Sequence, residues 1–584
     1  MKVSDYIASF LKSKGIGHVF GLQGGAVVHL FDSIDKIPGL QAIYCHHEQA
    51  AALAAVSYSR VSENNGAVIV TTGPGATNAL TGLLAAWQDS IPCLFLSGQT
   101  RKEHTSYGLK VRQVGTQELN IVDIVRPITK YAKFISSLAG LEDELELAYQ
   151  ISVSGRPGPV WLDIPVNLQW EHFEPRRPSP SVVVNSEGAR EFSEVARHLR
   201  AARKPLVIAG HGIRSGKAVA KFREFITRLN VPFVTTWTAA DFLPTSHALN
   251  TGILGISGQR GANKAVHSAD LLLVLGSHLS IPQTSTLFDQ FAPDAKKIVI
   301  DIDRDQLENL NVKVELPVVA DVGVFFDWVK AYALEISVER DWLASCKSFK
   351  EMNSVSSGLR KTGSKTSAGV NSYVFNDLLT RCLPENVCLV IDGGGTALYT
   401  GFQSSQIRDT QRLVCSSSMS AMGSGLPESV GACLANKRRL TTCLIGDGSF
   451  LINVQELQTI VHHRLPIKVF VLNNNGYLAI RHTQAAFLEQ RYAGTHRDWG
   501  VSFPAIKKVA AAFDIPFFRV AREATARKVI TDVLKVKGPA ICEVVVPDDQ
   551  EMLFKQGFRR NANGTFSPVA LGEMWPFTDT FSST

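Results

Sequence analysis

Cys-x-x-Cys pairs, long apolar runs and blocks of like charge are all missing from this 584-residue sequence. Without a Cys-x-x-Cys spacing, the cysteines at 45, 93, 346, 382, 388, 415, 433, 443 and 542 suggest neither a zinc ribbon nor a redox pair. Most of them, Cys443 and Cys542 included, lie in apolar runs and are expected as small core residues in a reducing compartment. No run reaches the ~18 apolar residues of a membrane span. The opening MKVSDYIASFLKSKGIGHVFG has an amphipathic helical pattern interrupted by Lys12 and Lys14, without the apolar centre of a leader. The expectation is a cytoplasmic protein with no membrane partner. The longest basic cluster is Lys437-Arg438-Arg439, read as a solvated turn before a strand. A net charge of +7, spread this thinly, argues against nucleic acid and suits small anionic substrates such as keto acids or nucleotides.

What is present is apolar content of 45%, ample for about three domains at the usual domain size, and one stretch around which the rest is organised. Residues 441–445 and 468–472 are short apolar runs that flank helical spacing at Val454, Leu457 and Val461. This predicts a strand–helix–strand unit. Its right-handed crossover makes the two strands parallel, so Gly446-Asp447-Gly448-Ser449 and Asn473-Asn474-Asn475-Gly476 leave the sheet at one edge. A carboxylate and an amide oxygen beside glycine-freed backbone suit Mg²⁺ or Ca²⁺ carrying a diphosphate: hard oxygens hold the cation, and N–H groups at a helix start hold phosphate oxygens. Gly-Asp-Gly followed, after a helix and a strand, by Asn-Asn resembles the thiamine diphosphate (ThDP) fingerprint.

Residues 1–172 alternate helix and strand. Strands ending at Gly21 and at 41–45, 66–72, 91–97 and 160–164, with an alanine-rich helix over 48–60, predict a doubly wound parallel sheet. The proline-rich stretch 174–184 is a linker. A middle α/β domain over 185–340 has strands at 205–209, 233–236, 271–275 and 297–302, and the Ser-, Lys- and Gly-rich 345–368 is a second linker. The third domain, 370–550, has a strand at 387–391 running into Asp392-Gly393-Gly394-Gly395-Thr396, a loop able to bring N–H groups onto phosphate oxygens. The first and third domains look alike. The tail, 551–584, carries Phe554, Phe558, Phe566, Trp575 and Phe577; it is too aromatic for disorder and is expected over a site mouth or an interface. The fold class is α/β, with three doubly wound parallel-sheet domains.

A glutamate at a helix start, such as Glu48, is what the helix macrodipole favours in any protein. Followed by Thr71-Thr72-Gly73-Pro74-Gly75-Ala76-Thr77-Asn78 and Gly155-Arg156-Pro157-Gly158-Pro159, it resembles the pyrimidine-binding domain of the acetolactate synthase (acetohydroxyacid synthase) family. The likeness spans nearly the whole chain. It implies 1–172 as the pyrimidine-binding domain, 185–340 as an FAD-binding type and 370–550 as the diphosphate-binding domain. It further implies ThDP, Mg²⁺ and FAD as cofactors, and a homodimer or homotetramer whose sites join the first domain of one subunit to the third of another. By the same resemblance, Glu48 is the catalytic group that hydrogen-bonds N1′ of the aminopyrimidine, favouring the tautomer that removes the C2 proton. Gln117 positions a reacting carbonyl. Gly24, Gly73, Asn78, Gly395, Thr396, Ser420, Met422, Gly448 and Ser449 are further ThDP contacts, and Asp447, Asn474 and the Gly476 carbonyl are the cation ligands. The FAD positions that match are Gly210, Gly212, Thr236, Trp237, Gly258, Asp301 and Asp321. Two arginines of the family near Gly276 are replaced by His278 and Pro282.

Four other departures bear on the substrate. The phenylalanine before the family's glutamine is Thr116 here, and the lysine after Ile164-Pro165 is Val166. The tryptophan that shapes the acceptor pocket falls at Thr483, and Ala479 stands where a methionine is usual. Residues 110–122 and Glu573-Met574-Trp575-Pro576 look more like the ThDP enzymes of deoxysugar and surface-polysaccharide pathways, among them the FAD-containing carboligases of branched, yersiniose-type sugars. The leading expectation is a carboligase that decarboxylates pyruvate and transfers the acetyl unit to a ketone, a nucleotide-activated 4-keto-deoxysugar. An acetolactate synthase using two 2-oxo acids stands second and a simple 2-oxo acid decarboxylase third. A cofactor-binding subunit without turnover is disfavoured by the retention of Glu48, Asp447 and Asn474.

Overall fold

The computed structural model describes residues 1–178, 191–355 and 369–577. Three six-stranded, all-parallel sheets follow one another along the chain. The first is built from β1–β6 (His18–Gly21, Gln41–Tyr44, Gly66–Val70, Cys93–Gln99, Tyr131–Phe134 and Val160–Pro165) in the order β2-β1-β3-β4-β6-β5. The third sheet comprises β13–β18 (Cys388–Ile391, Arg412–Val414, Thr441–Gly446, Ile467–Asn473, Phe517–Val520 and Ala540–Val545) and repeats that order as β14-β13-β15-β16-β18-β17. The likeness of the first and third domains is therefore one of topology. Between them, β7–β12 (Pro205–Ala209, Phe233–Thr235, Asn250–Ile253, Leu271–Leu275, Lys296–Asp301 and Leu316–Val319) run β12-β11-β10-β7-β8-β9, which is the 3-2-1-4-5-6 order of dinucleotide-binding sheets.

The central strands were legible because helices cover both faces, so their residues are apolar in succession rather than alternating. Every residue of β4 is buried, as is all of β16 but its last. Edge strands carry a weaker signal. The edge strands β5, β9, β12, β14 and β17 were not expected, nor was the central β18; β5 (Tyr-Ala-Lys-Phe) is only half-buried, and β17 (Phe-Phe-Arg-Val) and β14 each include an arginine. The single helix expected between β15 and β16 is two, Asp447–Ile452 and Glu456–His462. The break falls at Asn453, whose side-chain amide leaves the helical path to donate to the Gly423 carbonyl (2.8 Å). Part of the second expected linker is also helical: Arg340–Glu351 buries Trp342 and Cys346, four apart, against the middle sheet, and the Trp342 indole donates to the Pro205 carbonyl. Residues 179–184 and 356–368 of the two linkers lie outside the described residues.

A buried ionic cluster joins the three domains. Arg60 of the first pairs with Asp89, which also accepts from Ser416 and the Ser418 N–H of the third. Arg412 of the third donates to the Arg60 carbonyl (2.7 Å) and lies 3.3 Å from Asp241 of the middle domain, itself paired with Arg214. Such pairs gain little net stability after desolvation, but a broken one leaves a buried charge, so they hold the domains in one arrangement. All nine cysteines are free and only Cys382 is less than buried, as expected of core residues. No helix among the described residues is long and apolar enough to cross a membrane.

Candidate active site

The candidates of the third domain converge at the carboxyl edge of its sheet. Asp447 opens the helix Asp447–Ile452 directly after β15, and Asn474 to Gly476 follow β16, its parallel neighbour, which brings the two turns together. One oxygen of Asp447 accepts from the N–H groups of Asn474 (3.2 Å) and Gly476 (3.0 Å), and the other from Gly448 (2.8 Å). Burial pushes this carboxyl up to about 6, against those three N–H groups and the Arg481 charge, which pull it down. The Asn474 amide donates to Thr396 Oγ1 (3.0 Å), while its Oδ1 is buried with no hydrogen-bond partner. A buried carboxylate beside an orphaned amide oxygen is a donor set short of a hard cation, so these residues fit Mg²⁺. Among the described residues no cluster of three His, Cys, Asp or Glu side chains suits a metal.

Two further loops close on this point. Asp392, buried at the end of β13, accepts from Gly394 (2.8 Å) and Gly425 (2.9 Å) and so ties the Gly395-Thr396 loop to the loop bearing Ser420 and Met422. Ser449 lies against Gly394, and Ala479 against Gly395. Gly448 makes room for the Tyr477 ring, a packing reason for glycine that the fingerprint does not convey. Met422 is 36% exposed, free to be covered by a ligand or another surface.

The first-domain candidates form a second group. Glu48 starts the helix Glu48–Ser62, is 7% exposed, and accepts from the Asn78 amide at 3.0 Å. Gly75 packs beside its other oxygen, and Gly24 lies on Thr71. Gly73 has φ +62°, and a Cβ there would run into the Gln117 carbonyl; Gln117 itself has φ +59° and an exposed side chain. Thr116 is exposed beside it. Among the described residues, no hydrogen bond joins Glu48, Asn78 or Gln117 to Asp447, Asn474, Ser420 or Met422. The candidates thus fall into two groups, one in the first domain and one in the third.

Sequence reasoning missed two residues that shape these halves. Glu456 accepts the His46 N–H (3.0 Å), linking the third domain to the turn two residues before Glu48. Arg481 donates to the carbonyls of Asn474 (2.9 Å) and Asp548 (2.8 Å), pinning the cation loop. Neither belongs to a spaced motif; an arginine buried within the helix Leu478–Phe487 is the one available sign.

The expected FAD positions lie mostly at the carboxyl ends of the middle strands. The turn after β7 meets the end of β10 where the strand order reverses: the Gly210 N–H donates to the Leu275 carbonyl and the Gly212 N–H to that of Gly276, both at 2.9 Å, an approach that any Cβ at 210 or 212 would block. Thr236 and Trp237 follow β8. Asp301 ends β11 and accepts from the Asp303 N–H, and Asp321 caps the helix Val322–Ala331. Gly258 is elsewhere in role, its carbonyl accepting from Gln403 of the third domain. His211 between the glycines is pushed down to about 3 by burial, and burial lowers His278 also. Arg156 of the first domain reaches this crevice instead, donating to Asp303 (3.0 Å) and Gln306 (3.2 Å).

Pro282 sits in a short helix, Ile281–Thr284, and its carbonyl accepts from Ile256. The tail packs on the helix Leu478–Phe487 and against the middle domain. Its hairpin β19–β20 (Phe558–Arg560, Phe566–Pro568) sets both phenylalanines edge-on against Phe487, one turn beyond Thr483, and Arg260 of the middle domain donates to the Met574 carbonyl.

Three parallel-sheet domains with a diphosphate-type cation edge and a buried helix-start glutamate define a ThDP-dependent enzyme. The chain matches the profiles of the thiamine pyrophosphate enzyme N-terminal TPP binding domain over residues 1–124, the central domain over 192–329 and the C-terminal TPP binding domain over 393–544. It is 28% identical over 564 residues to acetolactate synthase isozyme 1 large subunit of Escherichia coli (strain K12), covering 94% of each chain. It is 29% identical over 558 residues to the isozyme 2 large subunit of the same organism (94% of this chain, 96% of the other) and, over the same length, to the acetolactate synthase large subunit of Lactococcus lactis subsp. lactis (strain IL1403), covering 94% and 93%. This chain belongs to the acetolactate synthase-like family of thiamine pyrophosphate enzymes.

Proposed function

We propose that this enzyme is a carboligase that decarboxylates pyruvate and transfers the two-carbon acetyl unit to a ketone, a nucleotide-activated 4-keto-deoxysugar. The observation behind the acceptor is one face of the helix Leu478–Phe487. Ala479 abuts Gly395 of the diphosphate loop, and Thr483 stands one turn further out, exposed, its hydroxyl 3.4 Å from the Ala479 carbonyl. A methyl and a hydroxyl occupy a face where the resembled family carries a methionine and a tryptophan, and Thr116 removes another aromatic ring. If these positions line the mouth as their counterparts do, the smaller side chains would widen it towards the size of a hexose ring.

Bound ThDP supplies the carbanion-stabilising chemistry. The chain's own residues do the rest. Glu48, held by Asn78, would be the group that exchanges a proton with the aminopyrimidine, and Ser420, Met422, Gly24 and Gly73 would be its further contacts. Asp447, Asn474 and the Gly476 carbonyl would hold Mg²⁺, while Gly395, Thr396, Gly448 and Ser449 would contact the diphosphate. Gln117 orients the acceptor carbonyl. The donor loses CO₂, a carbon–carbon bond forms to the ketone carbon, and the resulting alkoxide takes up one proton. From the family resemblance we infer a homodimer or homotetramer in which the partner completes each site. A cytoplasmic location accords with nine free cysteines.

With pyruvate as donor, kcat/KM for the keto-sugar exceeds that for 2-oxobutyrate or a second pyruvate, and Thr483→Trp reverses the order by filling the mouth; only the ratio is diagnostic, since specificity is a difference in transition-state binding. Efficient acetolactate formation with no response to any keto-sugar, or an unmoved ratio in Thr483→Trp, makes the protein an acetolactate synthase, the reading that its relatives' names favour. CO₂ release that no ketone acceptor alters marks a simple decarboxylase.

We also infer FAD in the middle-domain crevice. The switch-point turn would admit a dinucleotide at close range, and Arg156, paired with Asp303, is a guanidinium beside this crevice where His278 and Pro282 stand in place of arginines. The purified protein is expected to be yellow and to release flavin on denaturation. A colourless protein that FAD does not reconstitute refutes this.

A further inference from the structure

The interior of a parallel sheet is normally apolar, yet β4 and β6 of the first domain enclose a carboxylate, an amide and a hydroxyl. Asp163, Gln99 and Ser97 are all 0% exposed. Ser97 and Asp163 are register partners on adjacent strands, and Asp163 accepts from the Ser97 hydroxyl, the Gln99 amide (3.0 Å) and the Tyr107 hydroxyl (3.0 Å). Burial pushes Asp163 up to about 7 despite these three donors, a sign of what enclosing it costs. Buried polar groups of this kind are tolerated when each is satisfied, and what they gain is a unique conformation.

The conformation specified is that of the loop 101–122. The second N–H of the Gln99 amide donates to the Leu119 carbonyl (2.9 Å), and its oxygen accepts from Thr72 Oγ1 (2.8 Å), which lies 3.3 Å from the Gln117 carbonyl. The Tyr107 hydroxyl accepts from the Val122 N–H (3.3 Å) while its ring stacks on Phe134 at 4.1 Å. Glu118, also buried, holds the Ser106 N–H and hydroxyl with one oxygen and the Val114 N–H (3.1 Å) with the other. Residues on both sides of Gln117 are thus anchored, and its own backbone is held at φ +59° with its carbonyl against Gly73. A left-handed glutamine is uncommon and persists only where its surroundings over-determine it.

We infer that Asp163 is a positioning residue for Gln117, acting through Gln99, Thr72 and Tyr107 to fix the loop that presents Gln117 to the acceptor carbonyl. This rests on the role proposed above for Gln117. Among the described residues none of these side chains hydrogen-bonds Glu48 or the cation loop, so a network that acts through Gln117 is expected to affect carbon–carbon bond formation and to spare proton removal from the cofactor.

Tyr107→Phe removes one donor and keeps the stacked ring; Asp163→Asn keeps the shape but faces three donors with an amide that can itself only donate on one side. In the full-length ThDP- and Mg²⁺-loaded enzyme, both variants are expected to lower the ratio of ligated product to CO₂ released from pyruvate by about ten- to a hundredfold, the scale of a misplacement near 1 Å. KM for the acceptor rises, while ThDP affinity and the rate of C2 hydrogen–deuterium exchange, measured by NMR after acid quench, stay at wild-type values. If Asp163→Asn does not fold, Tyr107→Phe decides alone. An unchanged product ratio in a folded variant overturns the inference, as does a parallel fall in C2 exchange, which marks general loosening. A wild-type enzyme that releases no CO₂ from pyruvate sinks the proposed function, and this role with it; an active wild type with indifferent variants sinks this role alone.

Discussion

Glu48→Gln is expected to slow turnover by at least about a hundredfold, the usual scale for a lost acid–base group, while ThDP still binds and the protein still folds. The side chain keeps its length, and a glutamine oxygen can accept the Asn78 amide as Glu48 does at 3.0 Å. What it loses is the carboxyl proton that must pass to and from the aminopyrimidine. The loss should appear first in C2 hydrogen–deuterium exchange, before any substrate enters. Turnover and exchange at wild-type rates would remove Glu48 from the mechanism.

Asp447→Ala has the opposite signature: the cofactor is lost and the proton relay is left untouched. The diphosphate loses its main counter-charge, and the N–H groups of Gly448, Asn474 and Gly476 lose their acceptor. Because three unsatisfied N–H groups could also distort the loop, Asp447→Asn serves as the companion, keeping an acceptor oxygen without the charge. ThDP titrations followed by fluorescence, with and without Mg²⁺, should show no cation-dependent binding in either variant. Tight metal-independent binding refutes the ligand assignment. Mixing the two lesions tests the assembly. A co-expressed dimer of one Glu48→Gln chain and one Asp447→Ala chain regains one intact site if the half-sites meet across subunits, and regains none if each site lies within a chain.

Local pattern made much of this site legible. Asp447 and Asn474 could be brought together from sequence because two apolar runs, a helical spacing and the handedness of a crossover leave one arrangement. Glu48, Asn78 and Gly73 were marked by residue types in fixed order, and the structure joins Glu48 to Asn78 by a direct hydrogen bond. Edge strands such as β5 and β17 escaped because a strand covered on one side carries charges that blur its pattern. The helix break at Asn453 escaped because its cause, the Gly423 carbonyl, is thirty residues away in sequence.

By itself, then, the sequence determined the class of chemistry, the three sheets and the residues at their carboxyl edges, since each depends on short-range spacing or on a single crossover. The tertiary structure alone decided how those residues are held. Glu456 reaching the turn before Glu48, Arg481 pinning the Asn474 carbonyl, Arg156 entering the middle-domain crevice and Asp163 anchoring the Gln117 loop through Gln99 are contacts between distant segments. A buried polar side chain takes whatever partner the fold brings within about 3 Å, and no periodicity in the chain records which partner that is.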